Sequence, residues 1–261
     1  SIGNMTRVAT DANGGQTFEE GDEISVYAWT GDATIAPDAS ERVVNNAINK
    51  LTSSSWVSTP QMLWKNNRDK HYFIGVYPTA AISDLSAGEY TFDANKQTES
   101  DLLVAVNPDG LSYSADAQQT VPLTFTHVMA KLVVNLTYKN QWGGIPTVEK
   151  VVVGNAAKEA TINYLTKVVT PSTTAKEDFS LPEITENTKY VSVIIPQEEV
   201  KQLTIVIGGK NFVYDNGTPF KLESGKITTV NLEVGRDEIK LGDVKITDWE
   251  DGSTFSGEAI N

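Results

Sequence analysis

The 261-residue sequence contains no cysteine. This excludes disulfides, thiolate metal ligands and a cysteine nucleophile, so packing and hydrogen bonds alone must hold the fold. Histidine is nearly absent: His71 and His127 are the only two. Neither has a second histidine at ligand spacing, so the sequence offers no zinc motif. Positive charge is scarce as well, with 21 Lys and Arg against 34 Asp and Glu and a formal net charge of -13. A chain of that sign lacks the electrostatic footprint that nucleic acid or an anionic membrane surface requires. No apolar run approaches the ~18 residues of a membrane-crossing helix. Walker A loops, Rossmann glycine patterns and Gly-x-Ser-x-Gly elbows are also missing. Residues 1–7 show neither a basic n-region nor an apolar h-region, and there is no initiator methionine. The sequence is therefore expected to be a mature or trimmed form.

What is present is a series of short alternating runs. Ile24/Val26/Ala28, residues 72–77, residues 102–106, Leu132/Val134/Leu136, Val148/Val151/Val153 and Val191/Val193/Ile195 are six of them. Leu203/Ile205/Ile207, Phe212/Tyr214, Ile227/Val230/Leu232/Val234 and Ile239/Leu241/Val244/Ile246 complete the series. They are rich in β-branched and aromatic residues and are separated by Gly, Asn, Asp and Pro. Period two predicts strands with one buried and one wet face, and the number of short strands predicts β-sandwiches. Asn107-Pro108-Asp109-Gly110 reads as a turn ending its strand. Residues 170–178 and the tail from Glu250 to Asn261 read as exposed loops. Residues 40–51 break the pattern. They place Val44, Ala47, Ile48 and Leu51 on one stripe, with Asp38 and Glu41 at capping-box spacing, and predict one short helix.

The length allows one or two domains. Polar, turn-like residues 111–117 precede residues 118–122, after which strand-rich sequence begins. The expected division is an N-terminal β-sandwich domain over 1–121 and a C-terminal one over 122–261. Just beyond, Leu123, Phe125, His127 and Met129 occupy odd positions, whereas Leu132, Val134 and Leu136 occupy even ones. One flat strand cannot change buried parity, so a bulge or a crossover between sheets is expected between Met129 and Leu132.

No residue set specifies chemistry. His127 sits inside a strand-like run and reads as structural, and His71 follows Arg68-Asp69-Lys70 and reads as a solvated turn residue. Asp11-Ala12-Asn13-Gly14-Gly15 resembles the start of a calcium loop but lacks the later ligands. Glu19, Glu20, Asp22, Glu23, Glu198 and Glu199 read as solvated surface in so acidic a chain, although paired carboxylates of that kind serve glycosidases. Trp29 and Trp249 read as core or end-plugs. Trp56, Trp64 and Trp142 lie in polar surroundings, where exposed rings would offer a glycan platform. Arg7, in an extended segment before Gly-rich sequence, is a natural site for a trypsin-like cut. No catalytic, cofactor-binding or metal residue is expected.

Several stretches, in order, carry a resemblance: Thr6-Arg7-Val8-Ala9, Gly21-Asp22-Glu23-Ile24-Ser25-Val26-Tyr27-Ala28, Tyr77-Pro78, the run from Leu123 to Val134, Ile194-Ile195-Pro196-Gln197, the run from Gly225 to Leu232, and Ile246-Thr247-Asp248-Trp249. The Phe-x-His-x-x-Ala-Lys-Leu and Gly-Lys-x-Thr-Thr-Val-Asn-Leu portions are the more specific. Together they resemble the fimbrillin-like proteins of Bacteroidales type V pili. The resemblance implies an all-β fold of two tandem transthyretin-like Greek-key sandwiches, the second opening near Leu123. It implies a non-enzymatic fimbrial subunit with a role in adhesion. Such a subunit is exported as a lipoprotein precursor to the outer surface and assembles with other subunits by strand exchange. No lipobox cysteine is present, as expected of a form that starts downstream of one. Arg7 matches the family's trimmed arginine, with Val8 following the cut. The alternating Ile239, Leu241, Val244 and Ile246 fit a donor strand, and the segment around Ile2 is the stretch expected to be displaced. Membrane contact is implied only through a precursor lipid anchor, and surface ligands of host or bacterial origin are implied as further partners. The competing expectation is a glycan-binding surface lipoprotein built of β-sandwich modules.

Overall fold

The computed structural model describes residues 9–10, 16–53, 55–97, 99–113, 120–236, 239–249 and 254–258. Arg7, Val8, Ile2 and the calcium-like stretch Asp11 to Gly15 lie outside them. In chain order the strands of the first part are β1 (Ala9–Thr10), β2 (Gln16–Thr17), β3 (Glu23–Thr30), β4 (Val44–Thr52), β5 (Ser55–Thr59), β6 (His71–Tyr77), β7 (Gly88–Thr91) and β8 (Leu103–Leu111). Then come β9 (Thr120–Thr124), β10 (Thr126–His127), β11 (Ala130–Tyr138), β12 (Val148–Ala157), β13 (Glu159–Asn163), β14 (Val168–Pro171) and β15 (Lys176–Ser180). The last are β16 (Glu183–Thr185), β17 (Lys189–Ile194), β18 (Gln197–Ile207), β19 (Lys210–Leu222), β20 (Lys226–Val234), β21 (Ile239–Asp248) and β22 (Thr254–Glu258). A single 3-10 turn at Asn140–Trp142 is the helical element among the described residues.

The first layer is an antiparallel six-stranded sheet ordered β10-β8-β6-β3-β4-β5. Its centre is not half wet. Ile24, Val26 and Ala28 of β3 pack with Phe73, Leu103, Leu123 and Phe125, while Tyr27 and Trp29 pack on the other face with Ile74 and Val76. Strand β9, paired with β22, covers the former face. Strand β13, in the sheet β14-β13-β7, contributes Ala160 and Ile162 to the core of the latter. Both faces are therefore apolar, and the alternation expected of a one-sided strand applies only at the margins.

The second part opposes a five-stranded sheet, β16-β17-β11-β20-β21, to a four-stranded one, β15-β12-β18-β19. Leu132, Val134, Val230 and Leu232 meet Val151, Val153, Leu203 and Ile205 in one core. Strands β11 and β20 run parallel, the other pairs of both sheets antiparallel. The parity change after Met129 is a crossover. Thr126 and His127 pair with β8, and from Ala130 the chain pairs with β17 in the other sheet.

Several local expectations are corrected. Residues 40–51 form no helix; β4 occupies Val44–Thr52, antiparallel to β3 and β5. Its register slips opposite Val26 and Ala28, and Asn46 takes φ 58°. That bulge puts Val44 and Ala47 on one face three residues apart, which imitates helical spacing. Asn107 to Gly110 do not end β8. They form an irregularity in its pairing with β6, where Gly110 at φ 65° donates its N–H to Asn107 Oδ1 at 2.8 Å. Of residues 170–178 only 172–175 turn, with Ser172 Oγ accepting N–H groups of Thr174 and Ala175, because β14 and β15 claim the rest. The tail carries β22, paired with β9.

Candidate functional site

The feature most suited to a function is the free edge of the five-stranded sheet. Among the described residues strand β21 pairs with β20 alone and ends that sheet. Val244 stands opposite Val230 and Ile246 opposite Thr228, both fully buried. Residues directly opposite in an antiparallel pair project from the same face. Val244 and Ile246 therefore point toward the sandwich interior, yet they remain 36% and 40% exposed. The opposing layer ends at β19, which approaches β21 without closing over Val244 and Ile246. After the register shift at Asn231/Leu232, Leu241 and Ile239 pack part-buried against the core. Polar ties are few: Asn231 Nδ2 donates to Asp243 Oδ1 at 2.7 Å, and Lys226 pairs with Asp248 at the surface.

Trp249, immediately after β21, is buried. Its ring stacks on the His127 imidazole at 3.7 Å and 10°, and Lys131 Nζ lies 5.0 Å from its centroid. Its N–H donates to Gly225 O at 3.0 Å. Behind the stack, His127 Nδ1 meets Asp101 Oδ1 at 2.7 Å, both side chains being closed to solvent. Asp101 Oδ2 and His127 Nε2 have no hydrogen-bond partner among the described residues. Burial pushes the Lys131 ammonium below its usual pKa, opposed by the attraction of Asp101. His127 is thus structural, as expected, and Trp249 plugs the end of a strand.

The other singled-out residues fall elsewhere. His71 is buried, contrary to the solvated reading; Nε2 accepts Lys65 N–H at 3.0 Å and Trp64 packs edge-on at 4.8 Å. Trp29 and Trp64 are core residues, and Trp56 and Trp142 are half-buried, Trp56 against Phe18 and Trp142 with its indole N–H on Val234 O. None of the five tryptophans is fully exposed. The carboxylates serve the fold: Glu20 accepts Ser53 N–H, Asp22 accepts Glu19 N–H, and Glu23, Glu198 and Glu199 pair with Lys50, Lys221 and Lys201. No group of three metal-capable side chains occurs among the described residues.

Sequence reasoning missed one cleft of about 1040 Å³ between residues 77–83, β7 and the rim at Glu23 and Lys50. Its wall is pinned, as Ala80 N–H donates to Ser25 Oγ, Ile82 N–H donates to Tyr27 Oη, and Arg42 donates to Ile82 O and Ser83 O. Burial raises the Tyr27 and Tyr90 phenols, so both stay protonated donors. Sequence spacing does not signal it, because its lining joins Glu23, Lys50, Tyr77, Tyr90, Leu102 and Tyr164 from separate parts of the chain.

The chain matches the fimbrillin-like family over residues 6–249. No curated protein matches it. Among solved structures it resembles a candidate cell adhesion protein from Bacteroides uniformis, at 18% identity and a TM-score of 0.69, over 89% of this chain and 93% of that one. A second, from Bacteroides ovatus, shows 17% identity and a TM-score of 0.69 over 93% and 95%. A tip fimbrial protein from Porphyromonas gingivalis with a C-terminal truncation shows 11% identity and a TM-score of 0.54 over 88% and 95%. At these identities the likeness establishes the all-β sandwich fold.

Proposed function

The chain belongs to the fimbrillin-like family, and from that premise we propose that it is a structural subunit of a bacterial surface fimbria with a role in cell adhesion. It is not an enzyme; the family is one of fimbrial structural proteins. Adhesion and fimbrial proteins among the similar structures support the surface location. The finer reading is assembly by strand donation. A donor must be extended, alternately apolar and incompletely satisfied at home. Val244 and Ile246, facing the interior yet exposed on a free edge, are the observation that carries this reading. Strand β21, with Ile239, Leu241, Val244 and Ile246, is the proposed donor. A cut between Arg7 and Val8 is the proposed maturation step, on a precursor exported as a lipoprotein. Division near Val121 and Pro122 belongs to the same reading. The five- and four-stranded sheets come wholly from residues after it, and the six-stranded sheet, β10 apart, from residues before it.

Incubation with an arginine-specific protease is expected to cut after Arg7 and to yield a ladder of multimers on a denaturing gel. Removing residues 243–261 is expected to abolish the ladder. Cutting without a ladder, or a ladder undiminished by the truncation, would reject donation by β21.

A further inference from the structure

Residues 242–249 bury almost nothing. From Gly242 to Asp248 every residue is exposed, and the strand is held by its ladder to β20 and by surface contacts. Trp249 is the exception. It is buried, stacked on His127, close to Lys131, and bonded through its backbone to Gly225. Its partners belong to other elements. His127 is on β10, Asp101 precedes β8, Lys131 is on β11, and Gly225 precedes β20. Gly225 is itself tied back, its N–H donating to Met129 O.

Such a layout concentrates the attachment of the strand beyond Leu241 in one side chain at its end. Aromatic stacking and full burial of an indole outweigh what an exposed ion pair contributes. We propose that Trp249 is a latch: seated on the His127–Asp101 pair it keeps β21 in its own sheet, and unseated it lets β21 leave as a unit. The two unpartnered polar atoms beneath it fit this role. Asp101 Oδ2 and His127 Nε2 have no hydrogen-bond partner among the described residues, so the closed stack is held by packing and carries a cost that opening would relieve. The inference rests on the reading of β21 as the donated strand, and it names what controls the donation.

Amide hydrogen exchange on the full chain tests it. In Trp249→Ala the amides of residues 239–248 are expected to exchange roughly a hundredfold faster, the size of effect expected when a buried indole is removed. Amides of β12 and β18 keep their protection. Trp249→Phe, which retains a ring to stack, recovers most of the loss. Unchanged exchange in β21, uniform acceleration over the whole molecule, or failure of Trp249→Ala to fold would each overturn the latch. The same variant, cut after Arg7, is expected to form the multimer ladder faster than the wild type. Released β21 amides with an unaltered ladder would leave the latch standing and refute strand donation.

Discussion

Burial commits His71 to its neutral form. Its Nε2 accepts Lys65 N–H, and Nδ1 donates toward Asp69 O at 3.1 Å. Desolvation lowers its pKa, Lys65 adds to the effect, and Asp69 opposes it. In the unfolded chain the ring takes a proton near pH 6.5. As pH falls through that value, the unfolded state binds the proton first, so stability is full above it and declines toward the lower folded pKa. Over that window the slope from this one group reaches about 1.4 kcal/mol per pH unit. His71→Gln keeps an acceptor for Lys65 N–H and removes the titration. It is expected to be less stable than the wild type at pH 7.5 by about 1 kcal/mol, with the gap narrowing at pH 5.5. Urea unfolding at the two pH values measures this, and a constant gap would clear His71 of the effect. The flanking Arg68-Asp69-Lys70 suggested a solvated turn. The cover comes from Trp64, which meets the ring by folding back and leaves no mark in local charge pattern.

At the level of elements, the legible strands were those whose buried residues keep one parity. Strands β11 and β20 follow their sequence runs closely, and the crossover after Met129 was announced by its change of parity. Strand β4 was misread because its bulge adds one residue. In β12 the register also shifts between Val153 and Ala156, with Asn155 at φ 54°. Both bulges place Asn where the backbone is left-handed, a conformation Asn tolerates and β-branched residues do not. Asn46→Gly is therefore expected to change stability by less than about 0.5 kcal/mol, and Asn46→Val to lower it by about 1 to 2 kcal/mol. Thermal unfolding of the two variants decides this, and equal losses would mean that the Asn46 side chain, not its backbone, matters. The edge position of β21 was equally hidden. Its alternation was plain in the sequence, but its place at the end of a sheet depends on the order in which the strands pair.

For the whole molecule the question is whether its two parts act separately. Strand pairings cross the expected division at three places: β10 with β8, β13 with β7, and β22 with β9. The core is common to both, and Phe92 meets Phe179 edge-on at 4.8 Å. Gln97 reaches from the first part into β17, where its Oε1 accepts Val193 N–H at 2.7 Å and the Ser192 hydroxyl at 3.2 Å. Contacts of this kind couple the sheets on either side of the expected division. A single calorimetric transition is expected, with calorimetric and van't Hoff enthalpies equal. Gln97→Ala strands the buried Val193 N–H and is expected to lower that one Tm by roughly 2 to 10 °C without splitting it. Two resolved transitions in the wild type would show that the halves unfold independently. Splitting only in the variant would make Gln97 the principal tie between them.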